Sequence, residues 1–226
     1  MSSTRATDMP ISDAGAGTPR ESAAYDAALD AFRAAHVPQD GTVGIVRAYR
    51  AVQAMPYFSG PDRTPFAALR DGRGACTAKH LVLRDLLRRI GLRAEVEIIE
   101  GDFSTAVPLH PSMPPALGDM IRAGGVTDFH CRVWLPQGDD GQRLDATWPR
   151  GLAAWGFAAD LDWAGQGDTQ QAIARVTVRS RDDDVLGTKA RLLGGLSEEV
   201  TLRRKEFLAL LSGWMAGLAL PENAGI

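Results

Sequence analysis

The sequence lacks a long hydrophobic run and an excess of charge of either sign. No stretch reaches the roughly 18 to 20 consecutive apolar residues that a membrane-spanning helix needs, so we expect no membrane segment. A formal net charge of −3 over 226 residues gives no electrostatic reason to expect a nucleic-acid partner. Lysine is scarce, and almost all the cations are scattered arginines; the lysines are Lys79, Lys189 and Lys205.

Cysteine occurs only at Cys76 and Cys131, too few for the disulfide framework of a small secreted protein. A single bridge between the two stays open, although it would consume a candidate nucleophile. Residues 1–20 are rich in Ser, Thr, Gly and Ala without an apolar core, which indicates a flexible tail and neither a signal peptide nor an anchor. We therefore expect a cytoplasmic protein in which residues 21–226 form one domain.

The order of the expected elements indicates an α+β fold. Apolar residues at helical spacing predict helices over residues 21–35, 43–55 and 117–123, and Ser197 can cap a last helix that is apolar nearly all round from 207 to 220. Alternating patterns predict strands over 92–100, 126–135, 142–147 and 171–181, the second and third forming a hairpin. The acidic trio 182–184 is interpreted as a solvated turn. Helices followed by antiparallel strands are typical of this class.

The segment 72–91 carries the strongest chemical signal. Gly72 and Gly74 permit a sharp turn, because glycine accepts positive φ without steric cost. A helix is predicted to begin at or beside Cys76 and to end near Gly91. A cysteine at a helix N-terminus lies near unpaired N–H donors and the positive end of the helix dipole, which favour the nucleophilic thiolate.

Two residues of the expected hairpin can complete a site around Cys76. His130 can act as its base, and Asp145 on the next strand can orient the imidazole, because neighbouring strands lie only about 4.8 Å apart. His80, one helical turn after the cysteine, is an alternative base, and Asp128 on the strand face of His130 is an alternative orienting carboxylate. Cys131 should point to the opposite face, into the core, which argues against a zinc site built from both cysteines and these histidines.

Motifs between residues 70 and 149 occur in an order and spacing shared with a known family: Gly74-x-Cys76 with the following Lys79, the helix end Arg-Ile-Gly-Leu-Arg-Ala, His130-x-x-Val133-Trp134 and Asp145-Ala-Thr-Trp. In these motifs, which cover about a third of the chain, the sequence resembles the transglutaminase-like cysteine enzymes. The resemblance implies a papain-like α+β fold, with the nucleophile helix packed on an antiparallel sheet and extra helices at both ends. It also implies Cys76 as nucleophile, His130 as base and acid, and Asp145 as orienting residue.

The chain departs from the family pattern at two places. The usual His-Ala-Trp is here His130-Cys131-Arg132, which puts an arginine beside the expected site. No glutamine or tryptophan immediately precedes the nucleophile as a second oxyanion donor. The backbone N–H of the nucleophile is one donor, and Tyr57 or Gln53 is a candidate for the other.

These residues predict a cysteine-dependent acyl-transfer enzyme that acts on a small-molecule or peptide amide or thioester and needs no cofactor or metal. Hydrolysis is preferred because water needs no second binding site, and transfer of the acyl group to an amine is the alternative. The family also contains inactive members. A non-catalytic binding module, which docks a second copy or another partner through the apolar helix 207–220, is therefore the competing hypothesis.

Overall fold

The computed structural model describes residues 19–137 and 140–218, and these form an α+β fold. Its helices are α1 (Pro19–His36), α2 (Gly41–Ala54), α3 (Pro65–Asp71), α4 (Cys76–Arg89), α5 (Pro115–Ala123), α6 (Val185–Gly194) and α7 (Glu198–Ala216). Its strands are β1 (Glu95–Asp102), β2 (Thr127–Gln137), β3 (Asp140–Leu144) and β4 (Thr177–Arg181). Short 3₁₀ turns cover Phe103–Ala106 and Arg150–Trp155.

The four strands form one antiparallel sheet in the order β3-β2-β1-β4. Strand β2 lies inside the sheet, where Ile99 of β1 is the register partner of His130. Leu144 at the end of β3 is the register partner of Val133. The expected hairpin of the second and third strands is confirmed, and it brings the chain after β3 close to the histidine.

Helix α4 packs against the sheet through its apolar side. Leu83 and Leu86 are completely buried in a cluster that also contains Val133 and Leu144. Burial of one such leucine stabilises a fold by about 1.5–3 kcal/mol. The helix predicted to begin at Cys76 is thus confirmed, and its packing fixes this residue beside strand β2.

Two helices have no counterpart in the sequence prediction. Helix α3 covers residues for which the sequence analysis predicts no element, and Thr64 caps it by accepting a hydrogen bond from the N–H of Ala67. Helix α6 directly follows the acidic trio, whose last member, Asp184, accepts from the N–H of Gly187. The trio is a largely exposed bend, in agreement with its interpretation as a solvated turn, and one of its carboxylates also serves as a helix cap.

The last two strands are shorter than expected. Strand β3 ends at Leu144, so Asp145 follows the strand instead of lying in it. Strand β4 begins only at Thr177. The N–H of Ala172 donates to Asp145 Oδ2 at 2.9 Å, which draws this part of the chain away from the sheet and toward the site.

The C-terminal helix α7 begins after its predicted cap, Ser197, which accepts a hydrogen bond from the N–H of Val200. Its large apolar residues Phe207, Leu211 and Trp214 are buried in a cluster of the chain's own core. The apolar character of this helix therefore serves internal packing. The end of the predicted apolar stretch, residues 219–220, lies outside the described residues.

Helix α1 begins at Pro19, two residues before the expected start of the folded domain, and the rest of the predicted tail, residues 1–18, lies outside the described residues. Within the ranges that the structure describes, no helix is both long enough and apolar enough to cross a bilayer.

Candidate active site

The turn between α3 and α4, residues 72–75, places Cys76 at the first position of α4. Gly72 adopts the left-handed conformation with φ of 63°, which favours glycine. The N–H of Gly74 donates to the carbonyl of Pro56, and a Cβ at this glycine would lie only 3.2 Å from the Cβ of Ala68. The helix has no side-chain cap at Ala75, so its first N–H groups are available to an anion.

His130 and Asp145 are brought together as the sequence predicts. His130 Nε2 donates to Asp145 Oδ2 at 2.8 Å, across 15 residues of sequence. This bond fixes the orientation of the ring and leaves Nδ1 for the nucleophile. Within the described ranges Nδ1 has no hydrogen-bond partner, and it is buried. An imidazole held by a carboxylate with its second nitrogen free is the arrangement that a general base requires.

Asp145 is itself held by three further hydrogen bonds. Its carboxylate accepts from the N–H of Thr147 at 3.1 Å and from that of Ala172 at 2.9 Å, and its own N–H donates to Thr169 Oγ1 at 2.8 Å. Burial would raise the pKa of this carboxyl, but the charge and the hydrogen bond of His130 lower the pKa below its usual range. The side chain is therefore an anion in the core.

The charges of the site favour a thiolate at Cys76. The Cys131 thiol lowers the pKa of Cys76, and although burial opposes this effect, the positive charges of Lys189 and His130 hold that pKa well below its usual range. Burial alone would lower the pKa of His130, but the negative charges of Asp145 and Cys76 raise it to about 10. At neutral pH these directions favour a thiolate–imidazolium pair.

The sequence analysis missed Lys189, which comes from helix α6. Its Nζ donates to Thr77 Oγ1 at 2.8 Å and lies 3.9 Å from Cys76 Sγ. The side chain is only 4% exposed. The scarcity of lysine in the chain was visible in the sequence, but nothing there indicates that residue 189 returns to a helix more than a hundred positions earlier.

Cys131 is buried in the core, as predicted, and the core on this face of the strand includes Cys76. Its Sγ lies 3.6 Å from Thr77 Oγ1, and it shares an apolar cluster with Cys76. The first turn of α4 lies directly against β2, so the nucleophile meets both His130 and its neighbour on the strand. Both cysteines are free thiols.

His80, the alternative base, has a structural role. Its Nε2 accepts from the N–H of Ala146 at 2.8 Å, so the proton of the neutral ring lies on Nδ1 and is donated to the carbonyl of Cys76, also at 2.8 Å. Burial lowers the pKa of His80 to about 4. The ring therefore stays neutral and links the first turn of α4 to the segment that carries Asp145.

Lys79, which the sequence analysis noted only as part of a motif, is completely buried on the same helix. Its Nζ donates to the carbonyl of Met55 at 2.8 Å and to that of Thr147 at 2.9 Å. Burial lowers its pKa to about 7. The side chain ties α4 to the chain after α2 and to the chain after β3, so it positions the elements of the site without contacting the thiol.

Asp128 and Arg132 do not belong to the site, contrary to what their strand positions suggest. Asp128 Oδ1 accepts from Arg204 Nε at 2.6 Å and is not the carboxylate that holds His130. Arg132 Nε donates to the buried Glu97 at 2.6 Å. Both ion pairs bind helices or strands to one another in the core.

The two candidates for a second oxyanion donor differ in whether they are available. The amide of Gln53 is bound elsewhere, because its Nε2 donates to the carbonyl of Asp160 at 2.9 Å and its Oε1 accepts from Arg50. Tyr57 lies against the site: burial, and then the charges of Cys76 and Asp128, raise the pKa of its phenol well above its usual range. Tyr57 therefore remains as a neutral hydroxyl donor near the nucleophile.

The described part of the chain contains no group of three or more His, Cys, Asp or Glu side chains arranged to hold a metal ion. The ring of His130 is bound to Asp145, whereas the thiol of Cys131 lies against Thr77. The zinc alternative therefore has no geometric support.

The site lies beneath the surface. Cys76 is 3% exposed and His130 is completely buried. A cavity of about 440 Å³ is lined by Phe129 and Thr188, the chain neighbours of His130 and Lys189, but its lining includes neither of these two residues nor Cys76. The aromatic residues of the other side, Tyr57 and Trp148, pack with ring centroids 5.0 Å apart and fill core space.

Comparison with known proteins identifies no relative: no family model matches the sequence, and no curated protein and no solved structure is significantly similar to it. The functional argument therefore depends on the geometry of the site.

Proposed function

We propose that the protein is a cysteine-dependent acyl-transfer enzyme in which Cys76 is the nucleophile, His130 the acid and base, and Asp145 the orienting residue. The observation that carries this proposal is the 2.8 Å bond from His130 Nε2 to Asp145 Oδ2, next to a cysteine at the start of a helix. The α+β architecture, with this helix packed on an antiparallel sheet, is consistent with the papain-like fold of transglutaminase-like enzymes, and we propose that fold here.

Acylation begins when the Cys76 thiolate attacks the carbonyl carbon of an amide or thioester and forms a C–S bond. The oxyanion of the tetrahedral intermediate accepts from the backbone N–H of Cys76, where the helix dipole also favours negative charge. As the intermediate collapses, the bond to the leaving group breaks and His130 Nδ1–H donates its proton to that group. A thioester on Cys76 and a neutral imidazole remain.

Deacylation reverses these roles. His130 Nδ1 takes a proton from water, the hydroxide attacks the thioester, and the C–S bond breaks to regenerate the thiolate and the imidazolium. We propose hydrolysis, because it needs no second binding site; an amine in place of water would give transfer by the same steps. Since the nucleophile must stay reduced, we also propose the cytoplasm as its location.

The test is to trap the acyl-enzyme. Incubation with activated acyl donors, such as N-acetylcysteamine thioesters of short acids, should add one acyl group, as measured by intact-protein mass spectrometry. Tryptic digestion after Arg73 and Lys79 isolates Cys76 in a six-residue peptide of sequence GACTAK, whereas Cys131 lies in the peptide 123–132. The adduct should be absent in Cys76→Ala and present in Cys131→Ala.

Absence of an adduct on folded wild-type protein across aliphatic, aromatic and charged acyl donors would reject the enzyme. The non-catalytic binding module would then be the better hypothesis, and Cys76 should show the reactivity of an ordinary thiol.

A further inference from the structure

Lys189 presents a problem of charge that the catalytic triad does not explain. Its ammonium is 4% exposed, and among residues 19–137 and 140–218 its hydrogen-bond partners are the neutral hydroxyl of Thr77 and the sulfur of Cys76. A buried ammonium needs an anion or several carbonyls as partners, because removal of an ion from water costs several kcal/mol. Lys79 has such carbonyls, whereas Lys189 has one neutral hydroxyl and the sulfur. The nearby carboxylate of Asp128 is already bound by the guanidinium of Arg204.

The resting site solves this problem with alternating charges. The Cys76 thiolate has the Lys189 ammonium 3.9 Å from its sulfur, and the charge of the His130 imidazolium also acts on it, while Asp145 compensates the imidazolium. Two anions and two cations make the group neutral as a whole. Each ion has a partner of opposite sign, so the buried arrangement is stable.

Acylation removes one anion and one cation. When Cys76 becomes a neutral thioester, His130 gives its proton to the leaving group and also becomes neutral. Asp145 remains an anion held by its own hydrogen bonds. Lys189 keeps only the neutral hydroxyl of Thr77 and loses the one anion that it contacts. An acyl group with its own negative charge next to the thioester would restore the pair.

We propose that Lys189 is an anion-recognition residue of the site, and that the acyl group transferred carries a carboxylate within about three carbons of the reacting carbonyl. This substrate class depends on the proposed acyl-transfer function. The distance of 3.9 Å from Nζ to Sγ places the ammonium where such a carboxylate would lie once the acyl carbon is bonded to sulfur.

The sharpest test uses two alkylating reagents of nearly equal size. Iodoacetate and iodoacetamide both transfer a two-carbon group to sulfur with loss of iodide, but only iodoacetate brings a carboxylate. We expect the ratio of their rates at Cys76, iodoacetate over iodoacetamide, to fall about tenfold in Lys189→Met, roughly the effect of one close ion pair in a partly polar site. Because both reagents use the same thiolate, changes in its pKa or in folding cancel in the ratio.

Lys205→Met is the matched control, since this lysine lies exposed on α7 and its loss changes the protein charge equally. Its rate ratio should equal that of the wild type. Lys189→Gln should behave like Lys189→Met, which guards against an effect specific to one side chain. Mass spectrometry of the 74–79 peptide measures Cys76 without interference from Cys131.

An unchanged ratio in both Lys189 variants would overturn the proposal even if Cys76 remains reactive and forms acyl adducts. Failure of wild-type Cys76 to react with either reagent would also overturn it, because no thiolate would then partner Lys189. A second arm compares acylation by a succinyl thioester and by the same thioester whose free carboxylate is converted to its neutral methyl ester. Faster acylation by the anionic donor in the wild type, but not in Lys189→Met, is expected, and equal rates would overturn the substrate class while the acyl-enzyme itself would stand.

Discussion

Lys189 Nζ lies 3.9 Å from Cys76 Sγ although the two residues are 113 positions apart. The thiol therefore has cations on two sides, Lys189 and His130, and both favour its ionised form. This relationship makes the pH dependence of thiol reactivity a direct measure of the site.

Alkylation of Cys76 by iodoacetamide should be fast at pH 6 and change little up to pH 8. The pKa of Cys76 is lowered, so the thiolate is present above that depressed value, whereas an ordinary thiol with a pKa of about 8.5 gains about tenfold in rate per pH unit over this range. Lys189→Met and His130→Ala should each shift the profile toward higher pH. Lys205→Met should not, and a wild-type profile that rises only above pH 8 would contradict the assignment.

Paired asparagine variants test which carboxylate orients His130, that of Asp145 or that of Asp128. Asp145→Asn should reduce acyl transfer by about 10³- to 10⁴-fold, because the imidazole loses the anion that fixes its tautomer and stabilises its charge. Asp128→Asn should instead act mainly on stability, since it leaves the buried Arg204 without its counter-ion. Measurements of acylation rate and of thermal melting on both variants test this, and the opposite pattern would make Asp128 the orienting residue.

The segments around these two carboxylates show what sequence reasoning can reach. The proximity of His130 to Asp145 and the place of Cys76 at a helix start were predictable, because each has a local signal: a glycine turn before a helix for Cys76, and a two-strand hairpin that brings His130 near Asp145. The buried polar residues of α4 that hold the site together had no such local signal. His80 and Lys79 differ from other polar helix residues only in facing the interior, and this depends on how α4 packs on the sheet.

Helix α6 shows a different limit. Its cap, Asp184, was visible as part of an acidic run, but a solvated turn and a helix start have similar composition. Even a correct helix prediction would not have placed Lys189 on Cys76, because the approach of α6 to α4 is a long-range contact fixed by tertiary packing. The closeness of Cys131 to Cys76 was missed for the same reason: strand alternation gives the face on which a residue lies but not which residues pack against that face.

The stability of the protein should be greatest near pH 6.5 as far as the two buried histidines determine it. The folded-state pKa of His80 is lowered to about 4, below the unfolded value of about 6.5, so its protonation favours the unfolded chain and stability is lost as pH falls from 6.5 toward 4. The loss in the free energy of unfolding is on the order of 3 kcal/mol. His80→Gln should reduce this loss in denaturant titrations between pH 4 and 6.5.

The alkaline side of the same profile belongs to His130. Its folded-state pKa is raised to about 10, so the stability it contributes is fully present below about pH 6.5 and is lost as pH rises through 10. In His130→Gln the loss of stability above pH 6.5 should become smaller, while the loss below pH 6.5 stays as in the wild type. If the wild type and both glutamine variants show the same dependence of the unfolding free energy on pH, neither ring has a shifted pKa.

Cys131 should tune the nucleophile without being required. Its thiol lowers the pKa of Cys76 and reaches Thr77, so Cys131→Val should raise the thiol pKa, whereas Cys131→Ser keeps a hydrogen-bond donor and should retain most of the effect. The measurement is the pH profile of alkylation on the 74–79 peptide. A valine variant with the wild-type profile would limit Cys131 to packing.

Tyr57 can be assigned by comparing two reactions of the same thiol. Acylation passes through an oxyanion that a phenol can stabilise, but alkylation by iodoacetamide forms no oxyanion. If Tyr57 is the second donor, Tyr57→Phe should slow acylation by about 10²-fold and leave alkylation unchanged, since the buried ring keeps its packing against Trp148. Gln53→Leu is the comparison at the other candidate, whose amide is bound to Asp160 and should not matter for the acylation step. Equal slowing of both reactions in Tyr57→Phe would instead indicate a disturbed thiolate, and no slowing of acylation would leave the Cys76 N–H as the donor on which the chemistry depends.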